Sequence, residues 1–170
     1  MAVMGGKNSG KTRTATFLIR TLSSAGFRVA SIKHIHHSFT MDTQGKDTWK
    51  MRESGAAIVS SISPNEVAIL KKPNSTESEL VHLLRLFEGE GIDVTIAEGF
   101  QEVLGKRDGV LKILTIGSAE DADRYRETVT PDIIVLTGRS PTKPGLPLIS
   151  LEDEGERLAE MVMAAVGRGF

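Results

Sequence analysis

The chain has 170 residues, 39% of them hydrophobic and 25% charged, with a formal net charge of −1. That balance reads as a single domain, 1–170, with its own core, and it excludes a global positive field for nucleic acid or an anionic membrane. The lack of cysteine rules out disulfides, thiolate metal sites and cysteine nucleophiles, and with no apolar run of membrane-spanning length and no signal peptide a cytoplasmic protein is expected.

In chain order, Ala2 to Met4 reads as a short first strand. It runs into Gly5-Gly6-Lys7-Asn8-Ser9-Gly10-Lys11-Thr12, which matches glycine, any four residues, glycine, lysine, then serine or threonine. This is the phosphate-binding loop pattern, or P-loop. Thr12 to Ala25 follows with Ala15, Leu18, Ile19, Leu22 and Ala25 at helical spacing, and Gly26 ends it. In that context backbone N–H groups and the helix dipole face a phosphate. Lys11 would reach the β- and γ-phosphates, and the Thr12 hydroxyl would hold Mg²⁺. The expected nucleotide-binding set is Gly5, Gly6, Lys7, Asn8, Ser9, Gly10, Lys11 and Thr12, with Arg13 behind them.

Arg28 to Lys33 is the second expected strand. A polar loop follows, opening with Lys33-His34-Ile35-His36-His37, whose three histidines suit an anionic ligand or a metal. Adjacent His36 and His37 point apart in most backbones, which weakens the metal reading. Asp42-Thr43-Gln44-Gly45-Lys46-Asp47-Thr48 has the character of a switch segment that orders around the γ-phosphate, so Asp42 and Asp47 are candidates for chemistry. Asp47 also suits the start of a short helix over Asp47 to Ser54. Ala57 to Ile62 and Glu66 to Lys71 read as a β-hairpin around Pro64-Asn65.

A helix is expected from Thr76 to about Glu88, then a buried strand from Asp93 to Ala97 leading to Glu98. An acidic residue at that place holds Mg²⁺ or positions the attacking group in phosphate-loop enzymes. Glu98 is therefore a candidate for metal binding and for catalysis. Further strands are expected at Leu111 to Ile116, Ile133 to Leu136 and Leu146 to Ile149, and a last helix at Glu152 to Val166. The whole reads as an α/β, P-loop NTPase-like fold, with a mostly parallel central sheet and helices on both faces. The phosphate loop, the His34 loop and Glu98 each follow a strand, so they should meet on its carboxyl edge. Guanine-specific enzymes carry an Asn/Thr-Lys-x-Asp motif late in the chain. Leu136-Thr137-Gly138-Arg139-Ser140 lacks its lysine and aspartate, so the residues themselves leave the base open.

Together these segments resemble the MobB family, the molybdopterin-guanine dinucleotide biosynthesis adaptor proteins. The phosphate loop is the unspecific part. The specific part is Ile32 to His37, then Phe39, Asp42, Gly45-Lys46-Asp47-Thr48, Arg52 and Gly55-Ala56, with Ala97-Glu98-Gly99-Phe100 further on. The resemblance covers about residues 3 to 115. It implies GTP and Mg²⁺ as ligands and weak GTP hydrolysis at most. It also implies a homodimer and a molybdopterin guanylyltransferase as partner. By position His37, Asp42 and Asp47 would belong to the loop over the nucleotide. Two departures stand out: Gln44 where the family commonly has proline, and Gly-Lys-Asn-Ser-Gly in the phosphate loop where Gly-x-Ser-Gly-Ser-Gly is common. Two other readings use the same residues. One is a small-molecule kinase with Arg124 and Arg126 as lid arginines. The other is a metal-chaperone GTPase using His34, His36 and His37.

Overall fold

The computed structural model describes residues 1–117, 119–129, 133–137 and 148–167. The elements in order are β1 (Ala2–Gly5), α1 (Lys11–Ser24), β2 (Val29–Lys33), α2 (Asp47–Glu53), β3 (Ile58–Ile62), β4 (Val67–Lys71), α3 (Thr76–Gly89), β5 (Val94–Glu98), α4 (Gln101–Leu104), β6 (Lys112–Ile116), α5 (Ala119–Thr128), β7 (Ile133–Thr137), β8 (Leu148–Ser150) and α6 (Gly155–Gly167). The chain divides into two compact units, one of residues 1–34 and 83–170, the other of residues 35–82.

The first unit is built on a six-stranded sheet of order β2-β5-β1-β6-β7-β8. Every pairing in it is parallel. Parallel strands bury both faces, which is why β1, β5 and β6 carry almost continuous apolar residues. Val3, Ile96 and Ile113 join Leu18 and Leu22 of α1 and Leu158 and Val162 of α6 in one core. Met4, Leu114 and Ile116 of the same strands are buried as well. At about 25 cal/mol per Å² of apolar surface, such residues supply the main drive for folding. The α/β, mostly parallel architecture expected above is the one observed.

The second unit holds α2, the antiparallel β3–β4 pair and the start of α3. Its hairpin registers Ile62 against Val67 and Ile58 against Lys71. Cross-strand partners share a face. One face therefore carries Ile58, Ile62, Val67 and Ile69, all exposed. Two short helices, α4 and α5, were not expected from the sequence. The tail of the Leu136–Ser140 segment and the start of the Leu146–Ile149 strand lie outside the described residues.

Candidate phosphate and metal site

β1 ends at Gly5, and the loop it feeds must turn hard against β6. A Cβ on Gly5 would sit 2.1 Å from Thr115 Oγ1 and 2.6 Å from the Thr115 carbonyl oxygen. No side chain fits there. The Thr115 and Ser9 hydroxyls share a hydrogen bond of 2.6 Å that uses one of their two protons. The other proton goes to a carbonyl, that of Met4, 3.0 Å from Thr115, or that of Gly6, 2.9 Å from Ser9. Strand β6 thus fastens the middle of the loop. Asn8 adopts φ 61, a left-handed conformation that asparagine tolerates better than most residues.

α1 begins with Gly10 at its N-cap, with no side-chain cap and no acid in its first turn. Instead it opens with Lys11, Thr12 and Arg13. Cations at a helix N-terminus oppose the macrodipole, and the uncapped N–H groups need an acceptor. An anion would satisfy both. The Lys11 ammonium is folded over the loop, donating to the carbonyls of Gly5 at 3.1 Å and Gly6 at 2.6 Å. Partial burial holds its pKa below the usual lysine range, Glu98 and Asp121 oppose that shift, and the Lys33 charge adds to it.

Glu98 closes β5 and is buried. The Thr12 hydroxyl donates to its carboxylate, 3.0 Å from each oxygen. Lys33, at the end of β2, places its Nζ 3.1 Å from Glu98 Oε1. Three strand-end or helix-start residues from separate segments therefore converge on the carboxyl edge of the sheet, where ligands of such folds bind. Hard oxygen donors from a hydroxyl and a carboxylate suit Mg²⁺, which takes few protein ligands and completes its shell with water and phosphate. The residues present fit that ion.

Gly99 (φ 91) and Phe100 (φ 58) follow Glu98, both in the left-handed region. The turn lets His34 lie against them: its ring stacks on Phe100 with centroids 5.0 Å apart, and a Cβ on Gly99 would fall 3.1 Å from His34 Cβ. His34 is thus packed at the sheet edge, while His36 and His37 are exposed. Among the described residues no group of three or more His, Cys, Asp or Glu is arranged to hold a metal.

The remaining expected residues fall as follows. Lys7 is exposed. Arg13 pairs with Glu152 at 2.7 Å, on the surface. Asp47 is the first residue of α2, exposed, with Lys50 at 3.5 Å. The Asp42 side chain is 3% exposed, and both its oxygens are engaged: Thr48 donates to Oδ1 at 2.8 Å and Arg52 to Oδ2 at 3.2 Å. Asp42 therefore belongs to a cluster within the second unit. Two residues beside the loop had no motif to announce them. Thr115 lies in the middle of a buried strand. Asp121 lies on α5, accepts from the Gly117 N–H at 3.3 Å, and would meet a Cβ on Gly6 at 3.2 Å. Of the two arginines considered as lid residues, Arg124 is held by Asp121 at 3.4 Å and donates to the Tyr125 hydroxyl at 3.0 Å. The side chain of Arg126 lies outside the described residues.

A family model described as MobB, molybdopterin guanine dinucleotide synthesis protein B, matches residues 1–129. A Haemophilus influenzae protein named molybdopterin-guanine dinucleotide biosynthesis adapter protein is 33% identical over 102 residues, which is 60% of this chain and 57% of that protein. The match thus spans little more than half of that relative's length. The Escherichia coli protein of the same name is 26% identical over 164 residues, 96% of this chain and 90% of its own. Among solved structures, a MobB homolog from Bacillus stearothermophilus aligns with a TM-score of 0.73 at 20% identity, covering 98% of this chain and 97% of the other. That likeness is one of fold. With the match running from the phosphate loop through β5, β6 and α5, the chain belongs to the MobB family, molybdopterin guanine dinucleotide synthesis protein B.

Proposed function

We propose that this chain is a GTP-binding accessory protein in molybdopterin guanine dinucleotide biosynthesis. It binds GTP with Mg²⁺ and hydrolyses it weakly at most. It acts in the cytoplasm as a homodimer, beside the guanylyltransferase that attaches GMP to molybdopterin. The observation that carries the nucleotide reading is the convergence of Lys11, Thr12 and Glu98 beside an uncapped helix start. The names of the relatives support the pathway, and the exposed apolar face of Ile58, Ile62, Val67 and Ile69 supports a subunit surface.

In this reading the loop N–H groups and the start of α1 bind the phosphates, and Lys11 leaves the carbonyls of Gly5 and Gly6 for the β- and γ-phosphate oxygens. Thr12 and Glu98 hold Mg²⁺, which neutralises charge on those oxygens when bound. The Glu98 carboxylate is engaged by the Thr12 hydroxyl and the Lys33 ammonium. Asp42 acts by shaping its own loop through Arg52 and Thr48. No observation favours the small-molecule kinase.

Calorimetry with GTP and ATP, each with Mg²⁺, tests the assignment. GTP should bind stoichiometrically and Lys11→Ala should lose at least about tenfold in affinity, the scale of one charge-assisted phosphate contact, with an unchanged melting temperature. ATP binding without GTP binding would overturn the guanine reading. Equal affinity of Lys11→Ala and wild type would overturn the site.

A further inference from the structure

Lys33 ends β2, and the parallel register makes it the direct neighbour of Glu98, the last residue of β5. Its backbone position follows from the strand pairing. The ammonium lies 3.1 Å from Glu98 Oε1 and 3.3 Å from Thr12 Oγ1. Thr12 accepts from Lys33 and donates to Glu98. The hydroxyl and the carboxylate that suit Mg²⁺ are therefore already joined by a cation of the chain itself.

The two partners differ in exposure. The Glu98 side chain is 10% exposed, whereas that of Lys33 is 52% exposed. The anion is fixed in the sheet edge, and the cation sits on a long stem open to solvent. An ammonium and a divalent cation held on the same carboxylate repel each other at a few ångströms, so each weakens the hold of the other.

We propose that Lys33 stands in for the divalent cation at Thr12 and Glu98. It neutralises Glu98 when metal is scarce, so the loop still accepts a triphosphate, and it is displaced when metal binds. Lys33 is a positioning residue that sets how much Mg²⁺ the site requires. This rests on the nucleotide reading above.

The test is titration of a fluorescent GTP analogue into wild type, Lys33→Met and Lys33→Gln, in EDTA and across a Mg²⁺ series, with Lys33→Arg as the charge-keeping control. In EDTA the neutral variants should bind about tenfold more weakly than wild type, because Glu98 then faces the phosphates uncompensated. At saturating Mg²⁺ the gap should close to within about twofold, and the half-saturating Mg²⁺ should fall by about threefold or more. Lys33→Arg should follow wild type in EDTA. Circular dichroism shows whether each variant is folded; the half-exposed side chain on an edge strand leaves the core intact. An equal loss with and without Mg²⁺ would make Lys33 an ordinary phosphate lysine and overturn the proposal, as would no change in either condition. Wild type that binds no triphosphate under any condition would instead sink the nucleotide reading itself.

Discussion

Asn8 holds φ 61 in the middle of the phosphate loop. A residue with a Cβ and no short polar side chain costs roughly 1–2 kcal/mol in that conformation. Asn8→Ala should therefore destabilise the protein by about 1 kcal/mol, while Asn8→Gly should be nearly neutral; urea melts of the two variants distinguish them. At this scale the sequence was legible where a motif fixes spacing. Lys11 and Thr12 are determined by the loop they follow, and Glu98 by its place at a strand end. Lys33 stands in the sequence beside His34, His36 and His37. Its meaning came only from the β2–β5 register, which no local pattern encodes. Thr115 is a case of the same kind: an apolar run hides the one hydroxyl that fastens Ser9.

Elements within the second unit depend on polar ties. Asp42 is almost wholly buried and is satisfied by Arg52 and Thr48. Removing one partner of a buried ion pair leaves an uncompensated charge. Arg52 is partly exposed, so Arg52→Ala should cost about 2 kcal/mol, below the range for fully buried pairs. Hydrogen exchange at the α2 amides would show it. Beside the hairpin, Lys71 pairs with Glu79 at the start of α3. The Lys71 hydrogen bond, then the Asn74 N–H, hold the Glu79 carboxyl below its ordinary value of 4.5. A depressed carboxylate pKa contributes stability that is fully present above that ordinary value and is lost as the pH falls through the lowered one. Protection factors of the β4 amides, with the intrinsic pH dependence of exchange divided out, should fall as the pH drops through the lowered Glu79 value, and Glu79→Gln should remove that dependence. The hairpin and α3 were readable because Pro64-Asn65 and Thr76-Glu77 are strong local signals. Helix α5 was not, because Ala119–Thr128 is mostly charged and shows no apolar periodicity; Tyr125, buried, is its main anchor. Helix α4 is one short turn, set by the left-handed Phe100 before it.

For the molecule as a whole, alternating strands and helices made the parallel sheet legible, since buried parallel strands read as apolar runs. The base that the protein prefers was not legible, because Leu136-Thr137-Gly138-Arg139-Ser140 lacks the lysine and aspartate of the base-reading motif. Two outcomes belong to this scale. If the exposed face of the hairpin joins two copies, Ile62→Lys should shift the protein to the monomer in sedimentation velocity without altering GTP affinity. Ligand present at a hundred times its dissociation constant should add about 2.7 kcal/mol of stability, read as a rise in melting temperature. That second outcome follows from α1, which starts with two cations and no cap of its own. Under the nucleotide reading, an anion from outside the chain completes its first turn. The folded population then tracks the supply of triphosphate, because the less stable copies without ligand are the ones that quality-control proteases find. The abundance of the protein would be coupled to the nucleotide pool through turnover, with no dedicated sensor.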